Sequence, residues 1–253
     1  MVSRASGAHP IDALGTDERT WAAWPWLSTL AAPGLAGAGL AGLARVRSAV
    51  IVAAHPDDEV LGAGGLISML AASGARLRLV AVTDGEASHR GHRSKASLVR
   101  RRAEERDAAL RALGAQEVEV IRLGLPDSGL ARREDELASA LASLVAGFDL
   151  CLAPWDRDLH ADHEAAGRAA RKAGPGIFRA FPVWMWHWAR PGDPRVPWDR
   201  ALRVPLAPRT VSRKRAAITC FASQTEDRGH DLGPVLAPGI IAHFTRTVEV
   251  LLP

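Results

Sequence analysis

The sequence predicts an α/β fold: a Rossmann-like, mostly parallel sheet flanked by helices, with a smaller C-terminal strand and helix subregion. Two observations carry this. Short apolar runs rich in Val, Ile and Leu alternate with helical stretches four times between Ser48 and Lys172, which is the pattern of parallel strands joined by right-handed crossovers. In addition, histidines and acids collect in the turns where a strand hands over to a helix, and in open α/β sheets that edge is where ligands bind.

At 253 residues, 47% hydrophobic and 24% charged, the chain is long enough for one large core. We expect one domain, residues 48–253, preceded by an arm and helix, residues 1–47, packed on it. The net charge is +4 and the sequence pI about 9.8. That balance leaves an anionic substrate open without arguing for one, and no nucleic-acid partner is expected. Cys151 and Cys220 have no CxxC spacing, so neither a zinc ribbon nor a disulfide framework is expected, and a reducing, cytoplasmic compartment fits. The Ala/Gly/Leu-rich stretch from Leu27 to Leu43 follows acids and contains Pro33, unlike a secretory leader, and no run is apolar enough for a membrane span.

In chain order, residues 1 to about 14 read as a loose arm. From Asp17 to Leu30, Trp21, Trp24 and Leu27 recur at helical spacing. Ser48 to Ala54 is the first buried strand, and Val60 to Ser73 the helix after it. Arg76 to Val82 is a second strand, ending at Thr83-Asp84-Gly85-Glu86. Ser88 to Arg102 is basic without an acid, a solvated face or a loop over the site. Leu98 to Gly114 is a helix stopped by glycine. Glu117 to Leu123 is a strand, followed by the turn Gly124-Leu125-Pro126-Asp127-Ser128-Gly129. Arg133 to Gly147 is a helix, Asp149 to Pro154 a strand, and a further helix runs to Lys172. Phe181 to Ala189 puts Trp184, Trp186 and Trp188 at period two, on one face of a strand, read as core or a contact between copies. Ala201 to Leu206 is a strand, Arg209 to Ser223 a helix, and Val248 to Leu252 a last strand.

Two blocks carry chemistry. The first, Ala54-His55-Pro56-Asp57-Asp58-Glu59 followed by Gly62, Gly64 and Gly65, offers a divalent metal an imidazole and a carboxylate and leaves an acid over as general base. The second, Trp155-Asp156-Arg157-Asp158-Leu159-His160-Ala161-Asp162-His163, places two histidines three apart at a helix start, with Asp162 able to orient an imidazole. Together they make a two-His, one-carboxylate site. A phosphate cradle at Gly62-Ala63-Gly64-Gly65 is the competing reading, but the spacing is not GxGxxG and no GK[ST] follows.

The two blocks resemble the signature of the PIG-L/LmbE-like family of metal-dependent N-acyl deacetylases, which typically remove acetyl from an N-acetylglucosamine unit. The resemblance extends through Thr83 to Glu86, Arg102 with Glu105, and Lys214 to Gln224. It implies a small-molecule or glycoconjugate substrate, and zinc, with Fe(II) as the alternative, bound by His55, Asp58 and His163. It also implies Asp57 as general base, with His160, held by Asp162, stabilising the oxyanion or protonating the leaving amine. Arg102 and Asp127 fall at substrate-contacting positions. Asp158 stands where the thiol-biosynthesis branch carries a tyrosine, and is expected to face substrate. Ala161 replaces a common proline, and the chain has no tyrosine, which leaves a non-sugar amide as the alternative substrate. A homo-oligomer is left open.

Overall fold

The computed structural model describes residues 11, 14–28, 42–89, 94–174, 176–228 and 233–253. The expected N-terminal arm, most of the Ala/Gly/Leu-rich stretch, and Arg90, His92, Arg93 and His230 lie outside the described residues.

The elements in order are α1 (Glu18–Ala22), α2 (Pro25–Ser28), β1 (Ser48–Ala53), α3 (Asp58–Ala72), β2 (Arg76–Thr83), α4 (Lys95–Leu113), β3 (Glu119–Leu125), α5 (Glu134–Val145), β4 (Leu150–Pro154), α6 (Ala161–Lys172), β5 (Ile177–Phe181), α7 (Met185–Trp188), β6 (Leu202–Pro205), α8 (Pro208–Thr219), α9 (Ala222–Thr225), α10 (Pro238–Ala242) and β7 (Val248–Leu251). Five strands form a parallel sheet in the order β3-β2-β1-β4-β5. The strands β6 and β7 make a separate antiparallel pair, tied to the main sheet by a bridge between Leu252 and Ala180. The expected α/β sheet and smaller C-terminal subregion are both present.

The period-two geometry of β1 splits its side chains between two cores. Ala49, Ile51 and Ala53 join a cluster with α3, α4 and α8 on one face of the sheet. Val50, Val52 and Ala54 join α5 and α6 on the other. Burial on both faces explains why the central strands β1 and β4 read as apolar runs rather than alternating.

Two expected elements differ. The helix expected from Asp17 to Leu30 is two short ones, because Pro25 cannot donate a backbone hydrogen bond and starts α2 afresh. The strand expected from Phe181 to Ala189 lies earlier in the chain, at Ile177–Phe181, and shares only Phe181 with the expected range. Beyond it, the Asp158 carboxylate gathers the backbone N–H groups of Val183, Trp184 and Met185 at 3.2, 2.9 and 2.8 Å, bending the chain into α7. The three tryptophans therefore part company. Trp186 is buried, edge-on to Trp21, whose Nε1 donates to the Trp186 carbonyl at 2.8 Å. Trp184 turns into a pocket and Trp188 toward the turn after β4.

The glycines after the first block serve packing. They lie buried within α3, where a Cβ on Gly62 would sit 2.1 Å from Phe181 and one on Gly65 would sit 2.6 Å from Leu206. A phosphate cradle is not formed there.

Gly167 of α6 lets the turn after β4 lie directly on that helix, since an added Cβ would meet the Pro154 carbonyl at 2.4 Å and Asp156 N at 3.0 Å. These are backbone atoms and cannot swing aside. Gly167→Ala should cost about 1–3 kcal/mol by overpacking, read as a lower denaturation midpoint. At the opposite end, Glu18 of α1 accepts from Arg246 Nε at 2.7 Å and pairs with His243 Nδ1 at 2.7 Å. Burial raises its pKa, but the Arg246 and His243 contacts outweigh that and hold it below the ordinary 4.5. A depressed carboxylate stabilises the fold above its unfolded pKa and loses that contribution as pH falls through the folded value. The stability difference between wild type and Glu18→Gln should therefore be present at neutral pH and shrink below pH 4.5. A difference independent of pH in denaturation curves would refute the ion-pair origin.

Candidate active site

Turns at the carboxyl ends of the parallel strands surround a cavity of about 160 Å³ whose lining includes His55, Asp57, Asp58, Asp127, His160 and His163. The turn after β1 supplies the first three. The backbone N–H of His55 donates to Asp58 Oδ2 at 2.8 Å, closing the turn on the side chain that begins α3. Asp57 sits at φ 140°, a left-handed conformation unusual for a non-glycine residue. Ser128 and Leu159, in the turns after β3 and β4, also have positive φ, so backbone strain is concentrated around this cavity, as at many functional sites.

Three ligand-type side chains face one another. His55 Nδ1 lies 3.3 Å from Asp58 Oδ2 and 3.3 Å from His163 Nε2, which is 3.2 Å from Asp58 Oδ1. Ligand atoms about 2.0–2.1 Å from a tetrahedral zinc are separated by roughly 3.3 Å, so this triangle fits a divalent ion without rearrangement. The nitrogens of His55, His160 and His163 all fall within 4.8 Å of one another. Each ring nitrogen facing away from the triangle has a carboxylate behind it. His163 Nδ1 pairs with Asp158 Oδ2 at 2.7 Å, and His55 Nε2 meets Asp162 Oδ2 at 3.4 Å and Asp127 Oδ1 at 3.5 Å. Such partners fix the tautomer and orientation of metal-binding imidazoles.

The site is built to hold positive charge. Burial lowers the pKa of His163, yet Asp58 and Asp158 outweigh it and push the imidazole up to about 9. Burial likewise works against His55, and its contacts with Asp127, Asp162 and Asp58 raise it well above 6.5. His160 behaves oppositely. Burial and repulsion from His163 and His55 push it down to about 3, leaving a neutral ring. Burial raises Asp57 to about 7 against the pull of Arg102, while Asp58, despite burial, is held well below 3.8 by His163 and His55. Asp127 is lowered to about 2, the His55 contact overcoming burial.

Two sequence expectations change. Asp162 does not hold His160: its oxygens accept from the backbone N–H groups of Ser128 at 2.6 Å and Leu130 at 3.1 Å and approach His55, while His160 Nδ1 is buried without a partner. The first turn of α6 aims Asp162 across to the turn after β3, away from the ring that precedes the helix. Asp158 does not face substrate. It is fully buried, spent on His163 and on the amides that start α7. Arg102 lines the cavity and also donates to Asp57 Oδ2 at 3.1 Å, the Pro56 carbonyl at 2.7 Å and the Gly85 carbonyl at 3.0 Å.

The lining also contains Trp184, Gln224 and Leu236. The Trp184 ring lies nearly parallel to the His160 ring, 12° apart with centroids at 6.5 Å. Its place was hidden by the strand-like spacing of the tryptophans. Gln224, part of the C-terminal stretch of the family resemblance but given no role there, follows Ser223, whose N–H and hydroxyl both bond to Glu105, at 2.7 and 2.6 Å.

Elemental analysis should find one divalent ion bound per chain, lost in His55→Ala and His163→Ala. Asp158→Asn should weaken metal binding about 10- to 100-fold while leaving all three ligands in place. Unchanged metal affinity in Asp158→Asn would mean that the carboxylate serves only the α7 turn.

Residues 50–174 match the family model for PIG-L, described as GlcNAc-PI de-N-acetylase. The chain is 30% identical over 127 residues to a diacetylchitobiose deacetylase of Thermococcus kodakarensis, an alignment covering 48% of this chain and 47% of that protein. It thus spans about half the length of this curated relative. Among solved structures, a conserved protein of Thermus thermophilus superposes with a TM-score of 0.59 at 24% identity, over 82% of this chain and 94% of the other. A teicoplanin deacetylase in a zinc-inhibited form gives 0.60 at 19%, over 81% and 97%. The N,N'-diacetylchitobiose deacetylase of Pyrococcus horikoshii gives 0.55 at 17%, over 83% and 82%. At these identities the structural likeness speaks for the fold. Over residues 50–174, which span β1 to α6 and so both motif blocks, the chain carries a PIG-L family domain.

Proposed function

We propose that this protein is a metal-dependent N-deacylase that releases acetate, or another short acid, from the amino group of a glucosamine-containing small molecule or glycoconjugate. The triangle of His55 Nδ1, Asp58 and His163 Nε2, with Asp57 beside it but outside it, carries this reading. The family match and the diacetylchitobiose deacetylase relative support it.

His55, Asp58 and His163 would hold a divalent cation, and two imidazoles with one carboxylate suit zinc, with Fe(II) as the alternative. When bound, such an ion acidifies water and polarises a carbonyl. The chain's own groups supply the rest. Asp57, raised by burial and fixed by Arg102, accepts the proton of the attacking water. A nearby dication favours its carboxylate form, as that role needs. His160 is neutral and lies beside the triangle, so its N–H is placed to stabilise the oxyanion of the tetrahedral intermediate. Collapse of that intermediate breaks the C–N bond, and the proton taken by Asp57 passes to the departing amine. Asp127, ionised at the cavity wall, offers an acceptor to a sugar hydroxyl.

Turnover is tested by acetate release from a panel of N-acetylglucosaminides and non-sugar acetamides by the metal-loaded enzyme. Asp57→Asn should keep its metal and lose about 100- to 10,000-fold in kcat. Full activity in that variant would sink the mechanism, and release only from the non-sugar amides would move the substrate class.

A further inference from the structure

A second cavity lies on the other side of the turn that delivers Asp158 and His160. It measures about 620 Å³ and is walled by Trp155 to Arg157, by Arg171 of α6 and by the loop from Pro194 to Arg200. Four arginines line it: Arg157, Arg171, Arg195 and Arg200. Asp156, Asp199 and Pro253 share the lining, so four guanidinium groups face two carboxylate side chains there.

The four are not equally engaged. Arg195 forms a two-pronged pair with Asp193, at 3.0 and 2.7 Å, and its guanidinium lies 4.4 Å above the Trp188 ring. Arg171 lies 4.2 Å over Phe178, with Asp156 at 3.6 Å and the Pro253 carbonyl at 2.9 Å. Arg157 and Arg200 are exposed and have no carboxylate, carbonyl or ring partner among the described residues. Two fixed and two free guanidinium groups around one concave space favour an anion that accepts several hydrogen bonds at once, as phosphate does.

This cavity also borders the machinery of the first. The Trp188 ring beneath Arg195 stacks on Trp155, 14° apart, and its Nε1 donates to the Asp158 carbonyl at 3.0 Å. Asp158 in turn holds His163.

We propose that this arginine-lined cavity is a second ligand site, taking a phosphorylated small molecule. The site stands whether or not the deacylase reading does. The phosphate could belong to the substrate itself, reaching across the turn from Trp155 to His160, or to a separate metabolite.

Glucose 6-phosphate is the probe, titrated calorimetrically into the full chain, with glucose as the uncharged control. Saturable 1:1 binding of glucose 6-phosphate but not of glucose is expected, weakened at least tenfold in the double variant Arg157→Ala/Arg200→Ala. Arg45→Ala/Arg132→Ala removes the same charge elsewhere on the surface and should bind as wild type does. No saturable binding, or equal weakening in both double variants, would overturn the proposal, the second by reducing the effect to net charge. Among positive outcomes, competition with a phosphate-bearing N-acylglucosamine but not with a neutral one assigns the phosphate to the substrate. Binding alongside both assigns it to a separate molecule.

Discussion

The site depends on one pairing, that of β1 with β4 at the centre of the sheet. The register sets Ala49 beside Leu150, Val50 beside Cys151 and Ile51 beside Leu152, and strands separated by a crossover and two further strands in sequence become neighbours about 4.8 Å apart. From this pair the winding runs outward in opposite directions, to β2 and β3 on one side and to β5 on the other. Such a reversal opens a crevice at the carboxyl ends of the two central strands. The turn after β1 ends in His55, Asp57 and Asp58, and the turn after β4 in Asp158, His160 and His163, so the crevice is also where the two blocks meet. The opposite edge is fastened by Asp149, whose Oδ2 accepts from Arg47 N at 2.8 Å and Ser48 N at 2.9 Å. A one-residue slip of β1 against β4 would exchange its two core faces and separate the blocks.

Once the turns are together, electrostatics distributes the roles. Asp57, Asp58, Asp127, Asp158 and Asp162 surround two imidazoles and one guanidinium in a largely buried volume. Opposite charges so close cannot all be left unpaired. Asp158 and Asp162 accept from backbone N–H groups and stand behind His163 and His55. Asp57 has Arg102 but little else, and burial lifts it nearest to neutrality. The same surroundings that make His55 and His163 hold positive charge make His160 neutral, because it lies beside two other imidazoles and its Nδ1 has no partner.

How much of this the sequence shows follows from what each feature depends on. The strands β1 to β4 and the helices α3 to α6 were legible because apolar runs and periodicity leave local signatures, and Gly114 stops α4 in the left-handed conformation expected of it, whereas β5 was not. His55, Asp58 and His163 were legible because each lies within a short block at a strand end. The partners behind them were not. Asp162 is one residue from His163 and two from His160, so adjacency suggested an imidazole on its own turn, whereas it reaches His55 across the crevice. Asp158 looked like a pocket residue because it stands two residues before His160, where the family resemblance places a tyrosine. The fact that its oxygens would be consumed by the amides of Val183 to Met185 depends on a chain segment 25 residues away. The same contact undid the strand expected for the tryptophans. Local pattern suggested period two, and a buried carboxylate from another turn imposed a helix start.

The C-terminal subregion, small in the sequence reading, braces the helix that begins at the site. Within α3, Ala63 departs from helical geometry at φ −140°, ψ 15°. A break of this kind leaves backbone groups that the helix would otherwise pair, and buried groups of that sort need partners. Glu249 of β7 accepts from the amides of Gly65 at 2.6 Å and Leu66 at 2.8 Å, while Lys214 of α8 donates to the Leu61 carbonyl at 2.8 Å. Lys214 and Glu249 pair with each other at 2.6 Å, both buried. A buried ion pair is a poor source of net stability by itself, but here its charges answer the backbone groups left by the break. Leu61, whose carbonyl is held, also lines the cavity that contains His55 and His163. The bend that fits α3 between the strand carrying His55 and the C-terminal layer is thus sustained by two residues more than 150 positions downstream. The C-terminal pair β6 and β7 therefore belongs to the architecture of the site.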